Sequence, residues 1–152
     1  MTTSTPHAVR TPAPNFALLT VLLLVGTVVA AWWLTTLLPS SVDPADADYA
    51  FAPLPLPGWA EAILGLVGLA LVVVIGRALV RAVRAGTLSG ARAAAAVLLV
   101  PVAGMAGIWW AIATAPVIGA NIGVGLSLFA FVPLSLILVI VAVVVLVTAK
   151  RP

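Results

Sequence analysis

Residues 127–149 read SLFAFVPLSLILVIVAVVVLVTA, an apolar stretch without a single charged residue. A helix rises 1.5 Å per residue, so about 20 residues are needed to cross the roughly 30 Å hydrocarbon layer of a bilayer. Three more apolar stretches precede it, at 17–38, 59–80 and 93–115, and each ends at a charge, a proline or a glycine; the second contains Glu61 and Arg77, each near one of its ends. The pattern predicts four membrane-spanning helices.

The composition agrees with this prediction. Of 152 residues, 64% are hydrophobic and 7% are charged, whereas a soluble domain has roughly 25% charged residues. We therefore expect an all-α integral membrane protein, folded as a four-helix transmembrane bundle. Val28-Val29-Ala30 also fits a signal-peptide cleavage site, but the first apolar stretch runs on to Leu38. That exceeds the usual h-region of roughly 7–15 residues and favours an uncleaved anchor.

The basic residues predict how the chain lies in the membrane. Lys and Arg number seven: one precedes the first stretch, four flank the connection between the second and third, with Arg77 still inside the second stretch near its end, and two follow the fourth. The positive-inside rule places those segments, and both termini, in the cytoplasm. The carboxylates Asp43, Asp46, Asp48 and Glu61 then lie on the opposite side. An excess of alanine, valine and glycine suggests a bacterial plasma membrane.

Three segments are expected along the chain. They are a disordered cytoplasmic tail at 1–16, rich in Thr, Ser and Pro, the transmembrane domain at 17–149, and a cytoplasmic C-terminus at 150–152. The external loop at 39–58 is rich in proline and in acidic residues. The inner loop at 84–90 is short and contains glycine, which predicts that the second and third helices are antiparallel neighbours.

Two short similarities suggest an internal repeat. The pair Trp32-Trp33 recurs as Trp109-Trp110, each pair with a proline six places after its second ring, and residues 50–56 resemble residues 130–136. A duplicated helical hairpin in parallel arrangement would explain both similarities. The alternative is that both segments lie at the membrane boundary, where tryptophan is enriched whether or not the chain is duplicated.

Small residues at helical spacing are expected to form the helix contacts, because burial of leucine drives no association within lipid. The fourth helix has few of them near its centre and should face lipid most. Pro101 removes one backbone donor and predicts a kink in the third helix. The expected packing positions are Gly26, Ala30, Gly65, Gly68, Ala103, Gly107, Ala111, Gly119 and Gly123.

The net charge of +3 does not indicate nucleic-acid binding, because the few cations all adjoin membrane spans. Arg77, Arg81 and Arg84 share one face if the second helix continues past the bilayer. Together with Arg92 they either anchor the topology or contact anionic lipid, at about 1 kcal/mol per residue near the surface.

The chain offers little for catalysis, and we expect it not to be an enzyme. It has no cysteine, and its one histidine, His7, lies in the tail. Ser127 follows a glycine and a leucine but has no base within the spans. The three aspartates of the external loop lack the glycine and glutamate of a calcium loop. The sequence predicts no metal site and no cofactor.

Glu61 and Asn121 are the strongest candidates for a substrate or proton site. Asn121 lies in GANIGVG, residues 119–125, which we interpret as a short re-entrant or interfacial turn. The favoured function is a non-catalytic accessory, scaffold or assembly component that contacts the bilayer and a membrane-protein partner or a second copy. The alternative is a small oligomeric transporter or channel that uses Glu61, Asn121 and the Pro101 kink.

Overall fold

Four long helices make up nearly all of the structure, a computed structural model that describes residues 15–38, 42, 48–116 and 120–149. They are α1 (Phe16–Thr36), α2 (Gly58–Arg84), α3 (Gly90–Thr114) and α4 (Ala120–Thr148). All four are long and apolar enough to cross a membrane, and this part of the chain contains no strand. The chain therefore has the all-helical architecture of a multi-pass membrane protein. The predicted disordered tail and the C-terminus at 150–152 lie outside the described residues, apart from Asn15 and Phe16.

The bounds differ most from the prediction at α4, which begins at Ala120 rather than at Ser127. Residues 121–125 are therefore the first turns of a helix, and their interpretation as a re-entrant or interfacial turn is wrong. Glycine costs only about 1 kcal/mol in a helix, whereas an unpaired backbone group in lipid costs several. Continuing the helix therefore costs less free energy than a turn with unpaired backbone groups.

The connection between α2 and α3 is a tight turn built on one glycine. Gly86 has a φ of +69°, the left-handed conformation that glycine adopts without steric cost. The backbone N–H of Thr87 donates to the carbonyl of Ala82 at 3.0 Å, and that of Gly86 donates to Val83 at 3.0 Å. This pattern is the Schellman motif, which satisfies the last carbonyls of a helix. Leu88, the next residue, is buried in the core beside Leu79.

The helices pack as a row rather than as a closed bundle. α1 lies against both α2 and α3, and α4 packs on α3 alone. The order across the row is therefore α2, α1, α3, α4. The prediction that α2 and α3 are neighbours is wrong, because they touch at only a few residues. Of the four, α4 has the smallest buried share, as its lack of small residues predicted.

Glycine contacts explain why α1 occupies the centre. A β-carbon placed on Gly68 would lie 2.9 Å from the carbonyl oxygen of Gly26 and 2.9 Å from the amide nitrogen of Ala30. On the other side of α1, a β-carbon on Gly107 would collide with the carbonyl oxygen of Val28. These glycines let α2 and α3 approach the backbone of α1 directly, in the manner of close-packed membrane helices.

The remaining small residues differ in their surroundings. Gly65 lies under the indole ring of Trp33, and Ala30, Ala103 and Ala111 are buried. Gly123 makes only a loose contact, since its added β-carbon would lie 3.5 Å from Ile112. Gly119 lies outside the described residues.

Only one of the two sequence similarities corresponds to a structural similarity. Both tryptophan pairs lie near the C-terminal ends of parallel helices, α1 and α3. Residues 50–56, however, are irregular, whereas residues 130–136 lie within α4. The duplication stays a prediction that only the first similarity supports.

We expect Gly68→Ala to lower the free energy of unfolding by about 1–3 kcal/mol, because the new methyl group must push two backbones apart. Gly76→Ala, on the same helix, is the matched control. A β-carbon there meets nothing within 4 Å, so it should be neutral or stabilise by up to about 1 kcal/mol. Unfolding by a denaturing detergent in mixed micelles, followed by circular dichroism, measures both. Equal losses would show that the contact of Gly68 with α1 does not hold the helices together.

Candidate functional site: a cavity at the tryptophan end

The two ends of the helix row differ in chemistry. At one end α1 and α3 finish and α2 begins, and this end carries Trp32, Trp33, Trp59, Trp109 and Trp110. We call it the tryptophan end. At the other, the arginine end, lie the exposed side chains of Arg77, Arg81, Arg84 and Arg92. The separation matches the aromatic belt and basic flank of membrane helices.

A cavity of about 530 Å³ opens at the tryptophan end. It lies between the C-terminal ends of α1 and α3, the first turn of α2 and part of the connection between α1 and α2. Glu61 is the only charged side chain among the described residues that line it. The others that matter for its chemistry are Trp32, Thr35, Pro53, Leu54 and Trp110.

Glu61 takes this position because of where α2 begins. Pro57 is the N-cap and forms no side-chain hydrogen bond, and Glu61 is the acidic residue of the first turn. A carboxylate there is stabilised by the positive end of the helix dipole, at about 0.3–1 kcal/mol. Its side chain is half-buried and has no hydrogen bond or ion pair among the described residues.

A backbone hydrogen bond and an aromatic cluster hold the described part of the loop before α2 against α3. The backbone N–H of Phe51 donates to the carbonyl of Ala113 at 2.9 Å, one of the carbonyls that a helix end leaves without a partner. The ring centroid of Phe51 lies 6.1 Å from Trp109 and 6.2 Å from Trp110. This contact brings Pro53 and Leu54 over the cavity.

Trp109 is held by ring packing rather than by a hydrogen bond. Its Nε1–H is buried and finds no acceptor among the described residues. Its ring also borders a second cavity of about 330 Å³ between α3 and α4. That α3–α4 groove is lined almost entirely by apolar side chains, Met105, Phe131 and Val139 among them, with Ser135 as the exception.

The other predicted site residues do not join Glu61. Asn121 is exposed in the first turn of α4 and is not among the residues that line the cavity. α4 and α2 lie at opposite edges of the row, so the two residues are separated. Pro101 is exposed within α3, which continues unbroken through it. The predicted kink stays a prediction.

The side chains of Arg77, Arg81 and Arg84 do share a face, because α2 continues to Arg84.

Ser127, the serine without a base, donates its hydroxyl hydrogen to the carbonyl of Val124 at 2.9 Å. Its hydrogen-bonding need is met within α4. Among the described residues there is no group of three His, Cys, Asp or Glu that could hold a metal ion. The predicted solvated loop at Asp43 and Asp46 lies outside the described residues.

The cavity was not foreseen from the sequence, although Glu61 was. Nothing in the sequence alone indicates that Trp32, Thr114 and Leu54 meet around one volume. The nearest signal is the recurrence of a double tryptophan followed by threonine and proline at the ends of two stretches. No family model, curated protein or solved structure matches this chain.

We expect Phe51→Ala to release the loop from α3, because the substitution removes both ring contacts. Aromatic pairs contribute about 0.5–1.5 kcal/mol each, so the loss of two should lower the free energy of unfolding by about 1–3 kcal/mol. Limited proteolysis between 48 and 57 should become faster as well. Phe129→Ala is the control, since that ring on α4 is 81% exposed. Unchanged proteolysis of the Phe51 variant would contradict the docking of this loop.

Proposed function

We propose that this protein is a non-catalytic multi-pass component of the bacterial plasma membrane that assembles with a partner membrane protein or with a second copy of itself. The observation that carries the proposal is where the charges lie. In the four described helices every ionisable side chain belongs to a terminal segment: Glu61 to the start of α2, Arg77 to Arg84 to its end, and Arg92 to the start of α3. Ion-coupled transport usually needs such a group well inside the bilayer.

The open row supports an assembly role. α2 and α4 are its two edges, and each has a long apolar surface that no other described helix covers. The small residues predicted to form helix contacts are used within the chain, since Gly26, Gly68 and Gly107 hold α1 to its neighbours. Association is therefore assigned to the outer faces of α2 and α4.

The proposed orientation places the arginine end and both termini in the cytoplasm. α2 has 27 residues, about 40 Å at 1.5 Å per residue, and the hydrocarbon layer is roughly 30 Å thick. Its last turns therefore extend into the headgroups. There Arg81 and Arg84 can contact anionic lipid phosphates at about 1 kcal/mol each.

Cysteine labelling tests the orientation, and the chain has no cysteine of its own. We expect Tyr49→Cys, at an exposed position of the tryptophan end, to react with a membrane-impermeant maleimide on intact cells. Thr87→Cys, exposed at the arginine end, should react only after the cells are permeabilised. The reverse pattern would overturn the assigned orientation.

Cross-linking in native membranes tests the assembly. We expect Val143→Cys on α4 or Val74→Cys on α2, both exposed, to yield a cross-linked species of defined mass. Val25→Cys, which is equally exposed on the central α1, is the control and should yield little. The absence of any product at both edges would contradict the assembly role.

One observation favours a second candidate, a small oligomeric transporter. The cavity contains Glu61, a carboxylate with no described partner, although neither Asn121 nor Pro101 lies beside it. Reconstitution into liposomes separates the candidates. Movement of a solute that Glu61→Gln abolishes would replace the assembly role with transport.

A further inference from the structure

We propose that the tryptophan-end cavity binds the ammonium group of an amphipathic organic cation. This inference goes beyond the assembly role, because that role needs no ligand. The same ammonium chemistry is present in a free lipophilic amine and in the headgroup of an aminophospholipid. The cavity volume of about 530 Å³ lies within the range of small-molecule sites, about 300–1,000 Å³.

The charge of Glu61 favours a cation in the cavity. Glu61 is the one ionisable side chain among the described residues that line the cavity, and its carboxylate has no hydrogen bond or ion pair within that part of the chain. The nearest arginine of the same helix, Arg77, lies about 24 Å along the axis at 1.5 Å per residue. A half-buried carboxylate without a counter-ion attracts a cation more strongly than one in bulk water.

The polar wall of the cavity presents hydrogen-bond acceptors. Three threonine hydroxyls line it, and each has already donated its hydrogen to a carbonyl of its own helix. The bonds join Thr35 to Ala31, Thr36 to Trp33 and Thr114 to Trp110, at 2.7, 2.7 and 2.8 Å. Each hydroxyl oxygen can therefore only accept a hydrogen bond from a ligand, which suits a donor such as ammonium and disfavours a phosphate.

Two helix ends and two indole rings also favour a cation in the cavity. α1 and α3 both finish at this cavity, so the partial negative charges of two helix C-termini point toward it. Trp32 and Trp110 line the same volume, and the face of an indole attracts ammonium groups. The described lining offers one carboxylate, which is too few for a calcium site with its six to eight oxygen ligands.

The remaining wall is apolar and fits the body of the ligand. Pro53, Leu54 and Ile112 line it, so an alkyl or aryl group attached to the ammonium can be buried there. An inorganic cation would leave this surface without a partner.

Calorimetric titration of the purified full chain in lipid nanodiscs tests the site, with benzylammonium as the probe and benzyltrimethylammonium as the comparison. We expect saturable binding of benzylammonium, whose N–H groups can donate to the threonine oxygens, weaker binding of benzyltrimethylammonium, which has no N–H, and none of phenylmethanesulfonate, an anion. Glu61→Gln should weaken binding about tenfold or more, because it removes the charge and keeps the shape. Asp48→Asn is the matched control. It removes an exposed carboxylate at the same end that does not line the cavity, and it should bind as the wild type does.

Equal affinity of the Glu61→Gln variant and the wild type would overturn the proposal, and so would an equal loss in Asp48→Asn. Trp110→Leu gives an independent reading without a change of charge, and unaltered affinity there would count against the site as well. Nanodiscs of phosphatidylglycerol and of phosphatidylethanolamine distinguish the sources. At a salt concentration that screens the anionic surface of phosphatidylglycerol, a lipid headgroup in the cavity lowers the probe's affinity only in phosphatidylethanolamine, whereas a site for free amines gives equal affinities. Cross-linking at α2 and α4 is measured separately, so this inference can fail while the assembly role stands.

Discussion

The contact of α1 with two glycine surfaces is the constraint on which the rest of this structure depends. In lipid, apolar side chains gain nothing by leaving one apolar surface for another, so helices associate where their backbones can come close. Gly68 meets Gly26 on one side of α1, and Gly107 meets Val28 on the other. Because both contacts use α1, the first helix becomes the centre of the row and separates α2 from α3.

That order decides where the cavity forms. With α1 and α3 side by side and parallel, their C-terminal ends and their tryptophan pairs come together at one end. α2 returns antiparallel on the far side of α1 and contributes Glu61 from its first turn. The loop before α2 is then held over the gap by the bond from Phe51 to Ala113. A carboxylate, two indoles and two negative helix ends thus surround one volume.

The same order leaves the edges of the row uncovered. α4 packs on α3 alone, and its buried share is the smallest of the four helices. The cavity and the edges are separate features, one at the end of the helices and the other along their sides. The proposed cation binding and the proposed assembly therefore involve different residues and can be altered independently.

The amino-acid sequence by itself determined the four helices, the division of cations from tryptophans and the candidate status of Glu61. These follow from local properties: the length of an apolar stretch and the cost of placing a charge in hydrocarbon. It did not determine that residues 121–125 are helical, that α1 separates α2 from α3, or that Glu61 and Asn121 lie apart. Those features depend on which glycine faces which backbone, and the spacing of small residues along one helix does not specify its partner. Only the tertiary structure decided that pairing, and with it the cavity.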